Sequence, residues 1–146
     1  MKLSTKGRYS VTALYHIALD YGKGPVSLKS ISERQGVSDS YLEQLFITLK
    51  KAGFVKSVRG AQGGYVLTRP PEEITIGEII VATEGPITLV ECMLSPGATP
   101  PCINSCDCAT RDIWTKIGDK LNDVLNSISL ADLCHDKAIK EGCIAK

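Results

Sequence analysis

The sequence predicts a mainly α-helical protein with one small β-hairpin: a winged helix-turn-helix unit followed by a long C-terminal helix. Three observations carry that expectation. Two short helical patterns meet at a Gly-containing turn around Gly36, the layout of a helix-turn-helix. Two β-prone runs follow directly, joined by the tip Arg59-Gly60-Ala61-Gln62-Gly63-Gly64, which reads as a hairpin with a basic, flexible end, the wing. Further on, Ile113, Trp114, Ile117, Leu121, Val124, Leu125 and Ile128 keep a helical period over about four turns. The expected organisation is a winged helix-turn-helix over 1–83, a cysteine-rich loop over 84–110, a helix with a short cap over 111–133, and a tail over 134–146.

The first helix is expected over Ser10–Tyr21, where Val11, Leu14, Ala18 and Tyr21 recur on one face and Gly22 ends the run. Lys2, Lys6 and Arg8 fall just before it, placed to meet phosphates. Ser27 reads as the N-cap of Leu28–Gln35, closed by Gly36. Ser38 and Asp39 open the next helix, the hydroxyl accepting orphan amides and the carboxylate facing the positive dipole end. There Leu42, Leu45, Phe46 and Leu49 form a buried stripe. Ser40, Tyr41, Glu43, Gln44, Thr48 and Lys51 fall on the other face, and Gly53 stops the helix. In a helix-turn-helix the second helix enters the major groove and its first residues meet base edges.

Phe54–Val58 and Tyr65–Leu67 supply the hairpin, with Arg59 suited to a narrow, negative minor groove. Pro70 and Pro71 break the chain. Thr75-Ile76-Gly77-Glu78 is a capping box that opens a short helix with Ile76, Ile79 and Ile80 inward. Gly85-Pro86 ends it, and Ile87–Val90 is a short extended link. The apolar stripe of the long Ile113–Ile128 helix exceeds what so small a winged helix covers easily. Pairing with its twin in a two-fold homodimer is the economical solution, with an intrachain core as the alternative. Ser129 and Asp132 are placed to cap a last turn, and the tail with Cys134 and Cys143 is expected to be loosely ordered.

The net charge of +1 hides an asymmetry. Residues 1–70 hold eleven Lys/Arg against four Asp/Glu, and residues 71–146 hold six against twelve. A basic half suggests an anionic partner, with double-stranded DNA leading; a merely solvated basic face is the bland alternative. No apolar run reaches the roughly 20 residues a membrane helix needs, so no membrane role is expected. The N-terminus lacks the pattern of a signal peptide, which points to the cytoplasm. No nucleotide-binding loop or nucleophile–base set argues for an enzyme.

Between these halves lies Glu91–Arg111, ECMLSPGATPPCINSCDCATR, with Cys92, Cys102, Cys106 and Cys108 in one Gly/Pro-rich segment. In the cytoplasm such clusters are more often metal ligands or redox groups than disulfides. Thiolates select zinc, copper(I) or iron–sulfur clusters. Spacing alone leaves an iron–sulfur cluster and zinc both open, since Cys102 and Cys106 make one knuckle while Cys92 stands apart.

MKLSTKGRYSVTAL, SDSYLEQLF, VRGAQGGYVL and CATRDIW together resemble the IscR-type iron–sulfur regulators, dimeric winged-helix repressors, over about residues 1–133. The resemblance implies a [2Fe–2S] cofactor with Cys92, Cys102 and Cys108 as ligands. The best-known members carry a histidine three residues after the last cysteine; here Arg111 stands there and cannot ligate. Cys106 is the nearest competent replacement, which predicts all-cysteine ligation, against Cys106 as a free thiol beside a three-cysteine site. The resemblance also implies a palindromic operator and, as cluster donors, cluster-assembly proteins. It points to the recognition helix and the wing for DNA contacts: Ser38, Ser40, Tyr41 and Gln44 in the groove, with Arg59 at the wing. Glu43 would act as a selective element, because a carboxylate accepts from cytosine N4 and is repelled by phosphate. A zinc- or thiol-switch regulator, of cysteine metabolism or oxidative stress for example, is the alternative on the same scaffold, and a redox carrier is a weaker one.

Overall fold

A computed structural model describes residues 3–90 and 108–136. Helices α1 (Thr5–Leu19), α2 (Leu28–Gln35) and α3 (Asp39–Lys51) are followed by strands β1 (Val55–Val58) and β2 (Gly64–Leu67). A 3-10 turn (Pro71–Glu73) leads to α4 (Ile76–Glu84), and α5 (Arg111–Ser127) follows the cysteine segment. Residues 130–136 form a further helical segment. The fold is that of the winged helix expected from the sequence.

The caps lie where hydroxyls precede apolar runs. Ser27 accepts from the Ser30 N–H and Ser38 from the Tyr41 N–H, each satisfying an orphan donor of its helix. Gly36 closes α2 with φ 65°, a left-handed conformation that a side chain would oppose. Thr75 and Glu78 form the reciprocal capping box of α4. The fully buried Leu14, Ile31, Leu42, Phe46, Leu49, Ile74, Ile79 and Leu130 bring α1, α2, α3, α4 and the segment after α5 into one core.

The hairpin is antiparallel, with Val55 opposite Leu67 and Val58 opposite Gly64. It does not stand alone. Val26 and Tyr65 exchange backbone hydrogen bonds in both directions, at 3.0 and 2.9 Å, and tie β2 to the turn between α1 and α2. The backbones approach so closely there that a Cβ on Gly64 would strike the Val26 carbonyl.

Two expectations are corrected. The first helix starts at Thr5, not Ser10, and ends at Leu19, so Lys6 and Arg8 lie within its opening turns rather than before it. Its N-cap is Ser4, helped by a carboxylate from a distant residue, Glu84, which local patterning does not reveal. The start of the tail is not loose either. Leu130 is fully buried, and residues 130–136 are helical with Cys134 packed against the core. Ile76 N–H donates to the Ile128 carbonyl and Leu130 N–H to the Ile74 carbonyl, both at 2.9 Å, so the chain after α5 is stitched to the start of α4. Ser129 and Asp132 do cap this segment, through bonds of 2.8 to 3.2 Å. Lys2 and Cys143 lie outside the described residues.

The apolar stripe of α5 divides. Leu121, Leu125 and Ile128 pack on the core, whereas Ile113, Trp114, Ile117 and Val124 remain 37–54% exposed. Leu121 and Leu125 therefore dock α5 on the core beside α4, while Ile113, Trp114 and Ile117 at its start, and Val124 further along, present uncovered apolar surface. No helix among the described residues is long and apolar enough to cross a membrane.

Candidate nucleic-acid interface and cysteine site

α3 buries Leu42, Leu45, Phe46 and Leu49, and this fixes which side chains face outward. Ser40, Glu43 and Gln44 are exposed on the opposite side near the N-terminus. Ser38 precedes them as the cap, its Oγ 3.3 Å from the Tyr41 nitrogen and 3.5 Å from the Ser40 Oγ. Part of its hydrogen-bonding capacity therefore serves the helix itself. Tyr41 is half-buried, its ring edge-on to Tyr9 with centroids 5.9 Å apart. Since Arg8 lies over the Tyr9 ring at 5.4 Å, this contact brings the basic start of α1 beside the start of α3.

Arg59 stands exposed at the wing tip, where Gly60 takes φ 124° and the Gly63 N–H closes on the Gly60 carbonyl at 3.0 Å. The Lys50 ammonium at the end of α3 donates to the Ser57 hydroxyl on β1 at 3.1 Å, linking helix and wing. Lys6, Arg8, the outer face of α3 and Arg59 are thus carried on one packed frame built from α1, α3 and the hairpin. One residue of the outer face escaped the sequence reading. Ile47 is 57% exposed, yet an apolar residue inside an apolar-rich helix carries no local mark of facing outward.

Of the four candidate ligands, Cys92, Cys102 and Cys106 lie outside the described residues. Among the described residues no three His, Cys, Asp or Glu side chains gather as a metal site. Cys108 is described, three residues ahead of Arg111 at the start of α5. Its sulfur is 3.4 Å from the Thr110 Oγ1. The Thr110 hydroxyl, then the Thr110 and Arg111 backbone amides and the Arg111 charge, hold the thiol below its ordinary value. The positive end of a seventeen-residue helix adds to this preference for thiolate. A thiolate is what zinc and iron–sulfur centres both require, so the chemistry at Cys108 fits a thiolate ligand of either group. A set of Cys92, Cys102, Cys106 and Cys108 would supply four such ligands.

A family model described as Rrf2, an iron-dependent transcriptional regulator, matches residues 3–136. The chain belongs to the Rrf2 family. It is therefore a DNA-binding transcriptional regulator by descent, and its winged helix is the family's fold. Its relatives include regulators named CymR and regulators named IscR. The regulator CymR of Bacillus subtilis is 46% identical over 133 residues, 91% of this chain and 89% of the relative. A solved structure of CymR, described as the global cysteine regulator of B. subtilis, superposes with a TM-score of 0.77 at 45% identity, covering 92% of this chain and 97% of that one. The structure of T. potens IscR superposes with a TM-score of 0.73, also at 45% identity, covering 94% of this chain and 88% of that one.

Proposed function

We propose that this Rrf2 regulator is a homodimeric repressor that senses iron–sulfur status through a [2Fe–2S] cluster held by Cys92, Cys102, Cys106 and Cys108, and that it controls cluster-biogenesis genes. The observation that carries the cluster reading is the likeness to regulators named IscR, in a chain that places Cys108, a thiol biased towards thiolate, at the head of α5 with three more cysteines in the segment leading to it. The cluster, when bound, supplies a redox- and supply-sensitive crosslink. The chain contributes the thiolates and joins them to α5. That helix is docked on α4 at one end and offers Ile113, Trp114 and Ile117 to a second copy at the other. A change in how α5 is held would alter the spacing of two recognition helices on a palindrome. In this reading Ser38, Ser40, Tyr41, Glu43 and Gln44 face the major groove, Arg59 the minor groove, and Lys6 and Arg8 the phosphates.

A second reading is favoured by the likeness to CymR: a regulator of cysteine metabolism that uses zinc or a thiol switch and no cluster. One experiment separates the two. Protein purified without oxygen is expected to be brown, with thiolate-to-iron absorption, and Cys106→Ala is expected to lose or shift those bands. A colourless protein, with or without zinc, would remove the cluster and leave the second reading. An unchanged spectrum in Cys106→Ala would send the fourth ligand elsewhere.

A further inference from the structure

Ile47 is the most exposed large apolar side chain among the described residues, at 57%. It stands in the third turn of α3, within about 20° of Ser40 around the helix axis at 100° per residue, and its angular position falls between those of Glu43 and Gln44. It is therefore in the middle of the outward face, not at its edge. Its neighbours one turn away are Glu43 and Gln44 on one side and Lys50 and Lys51 on the other, all exposed. None of these helix neighbours is apolar, so on α3 it lacks the area of a protein-docking surface. The exposed stripe on α5 is on a different element. A single branched apolar group set among polar side chains matches a small apolar target. On a helix that enters the major groove, the one such target that unmodified DNA offers is the C5-methyl of thymine. Ile is also stiff at χ1 in a helix, so its methyl groups are held in place before contact.

We propose that Ile47 is a specificity-determining residue that contacts the C5-methyl group of a thymine in each half of the operator. The proposal rests on the reading of α3 as the groove-facing helix. Seven residues separate Ile47 from Ser40, about 10 Å along the axis. With α3 lying along the groove, the thymine falls about three base pairs from the pair that Ser40 meets.

The test is in vitro selection from a randomised duplex library, using the full chain isolated without oxygen, followed by affinities on the selected duplex. Each conserved thymine is replaced in turn by deoxyuridine, which deletes only the methyl group. The wild type is expected to lose about threefold to fivefold at one thymine per half-site, the effect of one buried methyl. Ile47→Ala is expected to be insensitive at that position while keeping the rest of the selected sequence. Deoxyuridine that is tolerated everywhere, or that weakens wild type and Ile47→Ala equally, would overturn the assignment and leave DNA reading by α3 intact. A wild type that enriches no sequence would overturn the groove-facing assignment of α3 and the role of Ile47 with it. Thermal unfolding of Ile47→Ala matching wild type would show that the change acts at the surface.

Discussion

The carboxylate of Glu84, the last residue of α4, accepts hydrogen bonds from the backbone N–H groups of Ser4 at 2.7 Å and Gly7 at 3.2 Å, as well as from the Ser4 hydroxyl. A negative group from one helix thus caps the positive end of another, and the same helix start carries Lys6 and Arg8. Gly7 leaves the room for it, since a Cβ there would displace the Glu84 carboxylate.

Glu84→Ala and Gly7→Ala should therefore remove the same set of bonds. Glu84→Ala is expected to cost about 1 kcal/mol of unfolding free energy, and Gly7→Ala to cost less, because alanine gains up to about 1 kcal/mol over glycine within a helix. The double variant should be no less stable than Glu84→Ala alone, because the carboxylate that an alanine at Gly7 would displace is already gone. Urea denaturation of the four proteins checks this; simple additivity would mean that Gly7 and Glu84 are independent.

The capping box of α4 gives stability a dependence on pH. The Thr75 backbone N–H holds the Glu78 carboxyl below its ordinary value of 4.5; burial opposes it as the next largest influence, and Arg69 adds a smaller downward pull. A carboxyl depressed in the folded state contributes stability that is present above its unfolded value and lost as pH falls through the folded one. Glu78→Gln should flatten the acid limb of the stability–pH curve below about pH 4.5, and Thr75→Ala should cost about 1 kcal/mol at neutral pH. An acid limb unchanged in Glu78→Gln would assign that loss to other carboxylates.

Cys108 is expected to react with iodoacetamide in the cofactor-free protein with a midpoint below 9.0, its ordinary value. Thr110→Ala should move that midpoint upward, since the Thr110 hydroxyl is the largest influence on the thiol. Mass spectrometry of the peptide containing Cys108, over a range of pH, reads both. Identical midpoints would show that the helix end, not the hydroxyl, acidifies the sulfur.

The exposed start of α5 makes the proposed dimer testable. Ile117→Asp places a charge in the middle of the Ile113, Trp114 and Ile117 surface, where an unpaired buried charge is strongly disfavoured. Analytical ultracentrifugation is expected to show one chain in place of two, with unfolding midpoints little changed because Ile117 is 46% exposed in the single chain. A variant that still sediments as a pair would move the interface elsewhere.

Glu43 faces outward beside Gln44 at the start of α3. On the proposed mode of binding, Glu43→Ala should leave affinity for the preferred operator within about threefold. It should also lower discrimination against a substituted cytosine position by about tenfold. Competition binding with matched and substituted duplexes measures the ratio; a uniform loss on all duplexes would make Glu43 a general contact instead.

Much of this was legible because the signals are local. Ser27, Ser38 and the Thr75–Glu78 pair cap where they stand in sequence, and the period of Leu42, Leu45, Phe46 and Leu49 names the buried face of α3. What escaped depends on residues far apart in the chain. The start of α1 is stabilised by Glu84, eighty residues beyond Ser4, so no pattern near Ser4 announces it. The segment 130–136 is ordered because Leu130 fills the core and its amide finds Ile74, a partner that exists only after folding. Ile47 escaped for the opposite reason, as an apolar residue that the packing leaves outside. Among the cysteines, sequence supplied the candidates, and the structure adds the acidifying surroundings of Cys108.

Because Val26 and Tyr65 are bonded backbone to backbone, and Lys50 reaches Ser57, both strands of the wing are held at the Ser57–Tyr65 pair, close to its tip. These ties restrain how far the wing can swing away from α3. If Arg59 and α3 straddle the duplex as proposed, the span between them works as a caliper. A site whose grooves are too wide or too narrow would fail to fit before any base pair was compared.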